Sequence, residues 1–158
     1  MSDNGFIYLT QERLLELEKE LNELKTIGRK EIAQKISEAR SHGDLSENAE
    51  YDAAKEEQTL LELKIAKMGA TLARARIIDS RNFNNTEVHI LSKVKIKNIG
   101  TGKESEYMLV SPEEADFKIG KLAMTSPIGK GLMGKKVGDK IQVTAPAGVQ
   151  EYEILGIE

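Results

Sequence analysis

Leu14, Leu17, Leu21 and Leu24 are separated by alternating steps of three and four, the spacing that lines one narrow stripe of an α-helix. Thr10, just ahead of them, has the hydroxyl of a good N-cap. Past Gly28 the apolar positions fall at Ile32, Ile36 and Ala39, a one-position slip that predicts a local disturbance of the supercoil without an end to the helix. The pattern stops at His42-Gly43-Asp44. A second stripe follows at Leu61, Ile65, Met68, Leu72 and Ala75, preceded by the small residues Ala49, Ala53 and Ala54. Two stripes joined by a short turn predict an antiparallel coiled-coil hairpin. From Thr10 to Gly43 is about 34 residues, roughly 50 Å of helix at 1.5 Å per residue. The alanines near the turn predict a thin tip.

The period then changes from three-four to two. Val88 and Ile90, Val94 and Ile96, Met108 and Val110, Leu122 and Met124, Ile141 and Val143, and Tyr152 and Ile154 each alternate, as half-buried strands do. Ser111-Pro112-Glu113-Glu114 reads as a capping box opening a short helix. The second half is therefore predicted to be an antiparallel sheet with short helices, making the chain α+β. All three prolines and nine of the thirteen glycines lie beyond Asp79. The expected division is thus 1–79, a helical hairpin with an acidic tip near 43–51, and 80–158, a sheet domain. The Asn-rich stretch of 80–86 is the linker.

The 158 residues are 39% apolar and 31% charged, enough for a core. No apolar run approaches the roughly 18 residues of a membrane helix. Met1 to Gly5 lacks the basic flank and apolar stretch of a signal peptide, so the cytoplasm is the expected location and no membrane partner is expected. The absence of cysteine and the presence of only His42 and His89 exclude disulfides, thiol catalysis and a His-rich metal cluster. A net charge of −3, with the acidic excess in the first 79 residues, argues against nucleic acid as the primary ligand.

Asp44 and Glu47 stand three apart at the expected start of the second helix, where their carboxylates converge on a helical path. Magnesium takes carboxylate oxygens but keeps waters and shares its shell with phosphates, so two such groups need a partner to complete a site. The alternative is structural: Asp44 as N-cap and Glu47 at the third helical position mimic a capping box. A long rod delivering the acids favours function over capping alone. Gly129-Lys130-Gly131-Leu132-Met133-Gly134-Lys135 has the spacing of a phosphate-binding loop, but Lys136 replaces the required Ser or Thr and a strand follows. A loop-and-turn reading is preferred. Lys93, Lys95 and Lys97 are read as a solvated face or a guard on an edge strand.

Ile36 to Tyr51, Ala75 to Asp79 and Ser126 to Lys135 together resemble the tip, interdomain and C-terminal signatures of the bacterial Gre transcript cleavage factors, over essentially the whole chain. The resemblance implies a coiled coil that enters the secondary channel of RNA polymerase and an FKBP-like domain that docks at the channel rim. It also implies a co-catalyst, not a free-standing nuclease, that stimulates the polymerase's own cleavage of backtracked RNA at its extruded 3′ end. Asp44 and Glu47 match the acidic pair holding a second Mg2+ shared with the polymerase active site; the isolated protein is expected to bind none tightly. Ser126 and Pro127 match polymerase-docking positions. Lys30 and Thr125 depart from common family residues without touching this chemistry. A monomer is expected, since the hairpin satisfies its own seam. The competing readings are a channel-occupying inhibitor and a peptide-binding isomerase built from 80–158.

Overall fold

A computed structural model describes residues 5–43, 48–79 and 85–158. Their secondary structure runs from strand β1 (Ile7–Leu9) through helix α1 (Gln11–Glu23), a π-helical turn (Leu24–Gly28), α2 (Arg29–Arg40), α3 (Ala49–Ala73) and β2 (Ala75–Ile77). It continues with β3 (Lys93–Asn98), β4 (Glu104–Val110), two 3-10 turns (Pro112–Glu114 and Phe117–Ile119), β5 (Lys121–Ala123), α4 (Pro127–Leu132), β6 (Lys140–Ala145) and β7 (Gly148–Ile157).

Glu12–Ala75 form one compact unit. Its two arms are antiparallel: Glu20 pairs with Lys64, Arg29 with Glu62 and Lys35 with Glu57, so partner numbers fall in one arm as they rise in the other. Leu17, Ile36, Ala39, Ala54 and Ile65 are buried, with Leu61, Met68 and Leu72 half-buried along the same seam. Ala49 and Ala53, expected to thin the tip, face solvent instead. The predicted slip at Gly28 is met by the π-turn, which spends one extra residue per hydrogen-bonded turn and so brings Ile32, Ile36 and Ala39 back onto the stripe. Gly28 suits this place, because a Cβ there would lie 3.3 Å from Leu61 Cδ1.

The other unit comprises the described residues of 1–11 and 76–158. The chain therefore divides differently from the single break at 79/80 suggested by composition. The reason is pairing: β1 hydrogen-bonds to β2, and the Ile78 N–H donates to the Leu9 carbonyl oxygen at 2.9 Å. The main sheet has the order β5-β4-β3-β7-β6. Its core is Val88, Val94, Ile96, Leu109, Leu122, Leu132, Ile141, Val143 and Ile154; most come from the alternating pairs, but in β4 it is Leu109, between the expected Met108 and Val110, that joins it.

Four sequence expectations change. The sheet is mixed, because β5 runs parallel to β4; the segment carrying both 3-10 turns returns the chain to the same end before β5 begins. Val88 and Ile90 lie outside the strands: Val88 is buried and exchanges backbone bonds with Lys135 and Gly134, both at 2.8 Å, and Ile90 sits in a turn where Leu91 takes φ +70°. Ser111 opens a 3-10 turn without capping it; its Oγ accepts from the Tyr8 N–H. Lys93, Lys95 and Lys97 line the central strand, so the edge-guard reading falls while the solvated face stands: Lys93 and Lys95 are exposed, with glutamates such as Glu104 and Glu106 across from the row. Among the described residues, no helix is long and apolar enough to cross a membrane.

Candidate functional site

The end of the hairpin is built by local capping. Ser41 closes α2, its Oγ donating to the Glu38 carbonyl oxygen at 2.5 Å. Gly43 then takes φ +103°, a left-handed turn that glycine adopts without a Cβ penalty. Asp44 and Glu47 lie outside the described residues. The chain re-enters at Asn48, which has extended φ and ψ of −89° and 99° and is the N-cap of α3. Its Oδ1 accepts from the N–H groups of Glu50 and Tyr51 at 3.0 and 3.2 Å. Asn48 thus holds the cap of α3, and the capping alternative for Asp44 and Glu47 falls on residues outside those described.

Three contacts tie the arms together across this turn. The Asn48 Nδ2 donates to the Ala39 carbonyl oxygen at 2.6 Å. The Arg40 guanidinium carbon lies 5.9 Å from the centre of the Tyr51 ring, within reach of a cation–π attraction. His42 Nδ1 approaches Glu50 Oε2 at 3.2 Å. Glu50 and Asp52 occupy the first turn of α3, where the helix dipole favours negative charge.

Carboxylates are the donor chemistry that magnesium prefers, so Asp44 and Glu47 fit such an ion by type. Among the described residues, no three His, Asp or Glu groups come together to hold a metal. Sequence reasoning missed Asn48, although Asn ranks with Asp and Ser as an N-cap. The seam reaches back toward it. Tyr51, Ala54, Gln58, Leu61 and Ile65 continue its alternation back to the first turn of α3.

The second candidate region lies in the sheet unit. Ser126 is the N-cap of α4: its Oγ accepts from the Gly129 N–H at 3.1 Å and donates to the Ala123 carbonyl oxygen at 2.7 Å. Pro127 follows at the first helical position and is exposed. Gly129 is required because a Cβ there would run into the Ala123 carbonyl oxygen. Gly129 and Gly131 thus lie inside α4, not in a loop, and a Cβ on Gly131 would meet only the side-chain tip of Ile141, at 3.1 Å from Cδ1. Beside them is an open cavity of about 350 Å³ lined by residues that include Leu122, Pro127, Ile128, Val143 and Tyr152. Tyr152 is its aromatic contribution.

Residues 7–77 match the N-terminal transcription elongation factor family, and residues 84–158 match the C-terminal family of transcription elongation factors GreA/GreB. The transcription elongation factor GreA of Amoebophilus asiaticus is 57% identical over 95% of this chain and 96% of its own length. That of Chlorobium phaeobacteroides is 51% identical over 99% of this chain and 98% of its own. The solved structure of the transcription factor Gfh1 is 25% identical, covers 97% of each chain and superposes with a TM-score of 0.47, too loosely to bear on site geometry. With both halves matched in order, the chain belongs to the GreA/GreB family of transcription elongation factors.

Proposed function

We propose that this protein acts in the bacterial cytoplasm as an accessory factor of RNA polymerase. Its hairpin enters the secondary channel, and the polymerase's own hydrolytic cleavage of backtracked RNA is stimulated there. The observation that carries this reading is the bracing at the end of the hairpin. The four residues that include Asp44 and Glu47 fall between Gly43 and Asn48, and contacts on either side tie the two arms together. In this reading the braced end of the hairpin is what delivers the two acids of that stretch to a partner's site.

In this reading Asp44 and Glu47 would hold a magnesium ion shared with the polymerase active site. When bound, such an ion stabilises charge on the oxygens of phosphodiester hydrolysis. The two side chains contribute anionic oxygens and accept hydrogen bonds from an attacking water, orienting it toward the phosphorus. The cutting remains the polymerase's, so the isolated protein does not cleave RNA. Pro127 offers an exposed ring for docking at the channel rim. Ser126, whose hydroxyl is committed to the cap and to Ala123, acts there by fixing α4.

The test is single-turnover cleavage of labelled RNA in a stalled, backtracked polymerase complex, comparing wild type with the Asp44→Asn, Glu47→Gln double variant at matched occupancy. Acceleration by wild type alone is the expected result. Binding without acceleration by either protein would instead indicate a channel-occupying regulator. Equal acceleration by both would remove the acids from the mechanism.

A further inference from the structure

We propose that the outer face of α3 docks a second copy of this chain, α3 against α3 and antiparallel. The hairpin's own seam, the ground for expecting a monomer, uses one side of α3 and leaves a second stripe uncovered on the other. Ala53, Glu56, Leu60, Leu63, Lys67 and Ala70 recur at alternating steps of three and four, the period of a coiled-coil seam, and all six are exposed. Leu60 and Leu63 are 60% and 62% exposed. A helix in water with apolar residues on two sides calls for a partner on each.

The order of the stripe identifies that partner. From either end it runs small, charged, leucine, leucine, charged, small, with the two charges opposite in sign. A two-fold axis passing between positions 61 and 62, near the middle of α3 (Ala49–Ala73), sets Leu60 against Leu63 of the second copy, Glu56 against its Lys67 and Ala53 against its Ala70. Each copy then makes the same contacts, as a two-fold interface requires. Parallel pairing would instead set Glu56 against Glu56 and Lys67 against Lys67, and like charges so placed repel. A partner of different sequence gives the stripe no reason to be its own complement. Neither Glu56 nor Lys67 has an opposite charge three or four positions away on α3, the spacing of ion pairs within a helix, so both charges are directed to the interface. From Ala53 to Ala70 is about 26 Å of helix at 1.5 Å per residue, a strip at the small end of specific interfaces. The association is therefore weak, with a Kd on the order of 100 μM.

Sedimentation velocity of the full-length protein at low salt, over a series of concentrations, tests the pairing. Wild type should pass from monomer to dimer as concentration rises. Glu56→Lys and Lys67→Glu each turn two attractions into repulsions and should each weaken the dimer by about tenfold. The double reversal should restore it, and so should an equimolar mixture of the two single variants, because in the mixed pair every reversed charge meets its opposite. Leu60→Gln with Leu63→Gln should leave monomer alone. All of these side chains are exposed, so each variant should keep the far-UV circular dichroism of wild type. Three results overturn the proposal: a wild type still monomeric at about ten times that Kd, a dimer indifferent to both reversals, or a weakening that neither the double reversal nor the mixture repairs. None of the six residues belongs to the acidic tip, so the outcome is independent of the function proposed above.

Discussion

The Tyr8 N–H donates to the hydroxyl of Ser111 at 3.1 Å, across 103 positions of sequence. Ser111 is only 2% exposed, so water does not readily replace it as the acceptor. The bond fastens β1 to the end of β4, joining the first residues of the chain to the sheet unit. Ser111→Ala leaves the Tyr8 N–H without this partner, at a cost of about 1–3 kcal/mol. Urea denaturation and the exchange rate of the Tyr8 amide check this; unchanged values for both would show that another acceptor suffices.

Glycine in a helix is normally less stable than alanine by about 0.5–1 kcal/mol, but Gly129→Ala should reverse that sign. The added methyl meets the Ala123 carbonyl oxygen and the Met124 backbone, neither of which yields as a side-chain tip would. A loss of about 1–3 kcal/mol or more is expected from such overpacking, read as a lower melting temperature. A stabilised variant would mean that α4 shifts freely on the sheet.

The Arg29–Glu62 pair predicts a pH response in the hairpin. Bidentate hydrogen bonds at 2.9 and 3.0 Å hold the Glu62 carboxyl below its ordinary range and raise Arg29, with a smaller opposing effect of desolvation. The hydrogen bond from Lys35 to Glu57 likewise raises Lys35. A lowered carboxyl stabilises above its unfolded value, about 4.3, and that stabilisation disappears as pH falls through the lower folded value. The raised cations stabilise below their unfolded values and lose that effect only as pH rises through their still higher folded values, beyond about 10.4 for lysine. Glu62→Gln should therefore melt below wild type at pH 7 and converge with it under strong acid. A difference that persists unchanged in acid would assign the effect to packing.

Leu132 closes α4 with its side chain fully buried in the sheet core. Leu132→Ala should cost about 2–5 kcal/mol, measurable by denaturant unfolding. In the polymerase assay, correction for the unfolded fraction should restore normal binding, since Leu132 presents no surface. A binding defect beyond that correction would make α4's position itself a docking determinant.

Much of the architecture was legible because it follows from local periodicity. The three-four spacing of Leu14 to Leu24 and of Leu61 to Leu72 identified the hairpin, and even the phase slip at Gly28 was visible before the π-turn that absorbs it. The alternating pairs from Val94 to Ile154 located the strands for the same reason. Val88 and Ile90 failed because a single alternating pair does not reveal where its backbone bonds go, and these go to the loop at Gly134 and Lys135. Of the candidate site, Asp44 and Glu47 were marked by residue type and spacing. Asn48 was hidden because its donor bond depends on a carbonyl in the opposite arm.

The sequence by itself determined the α+β class, the hairpin, the acidic pair and the family, since periodicity, residue chemistry and ordered motifs are properties of neighbouring positions. Only the tertiary structure decided that β1 belongs with the sheet unit, that β5 runs parallel to β4, that the lysines of β3 sit mid-sheet, and that Asn48 clasps the two arms. Each of those rests on hydrogen bonds between groups distant in sequence, and backbone donors and acceptors are alike at every residue. Which of them meet is settled only when the whole chain has packed.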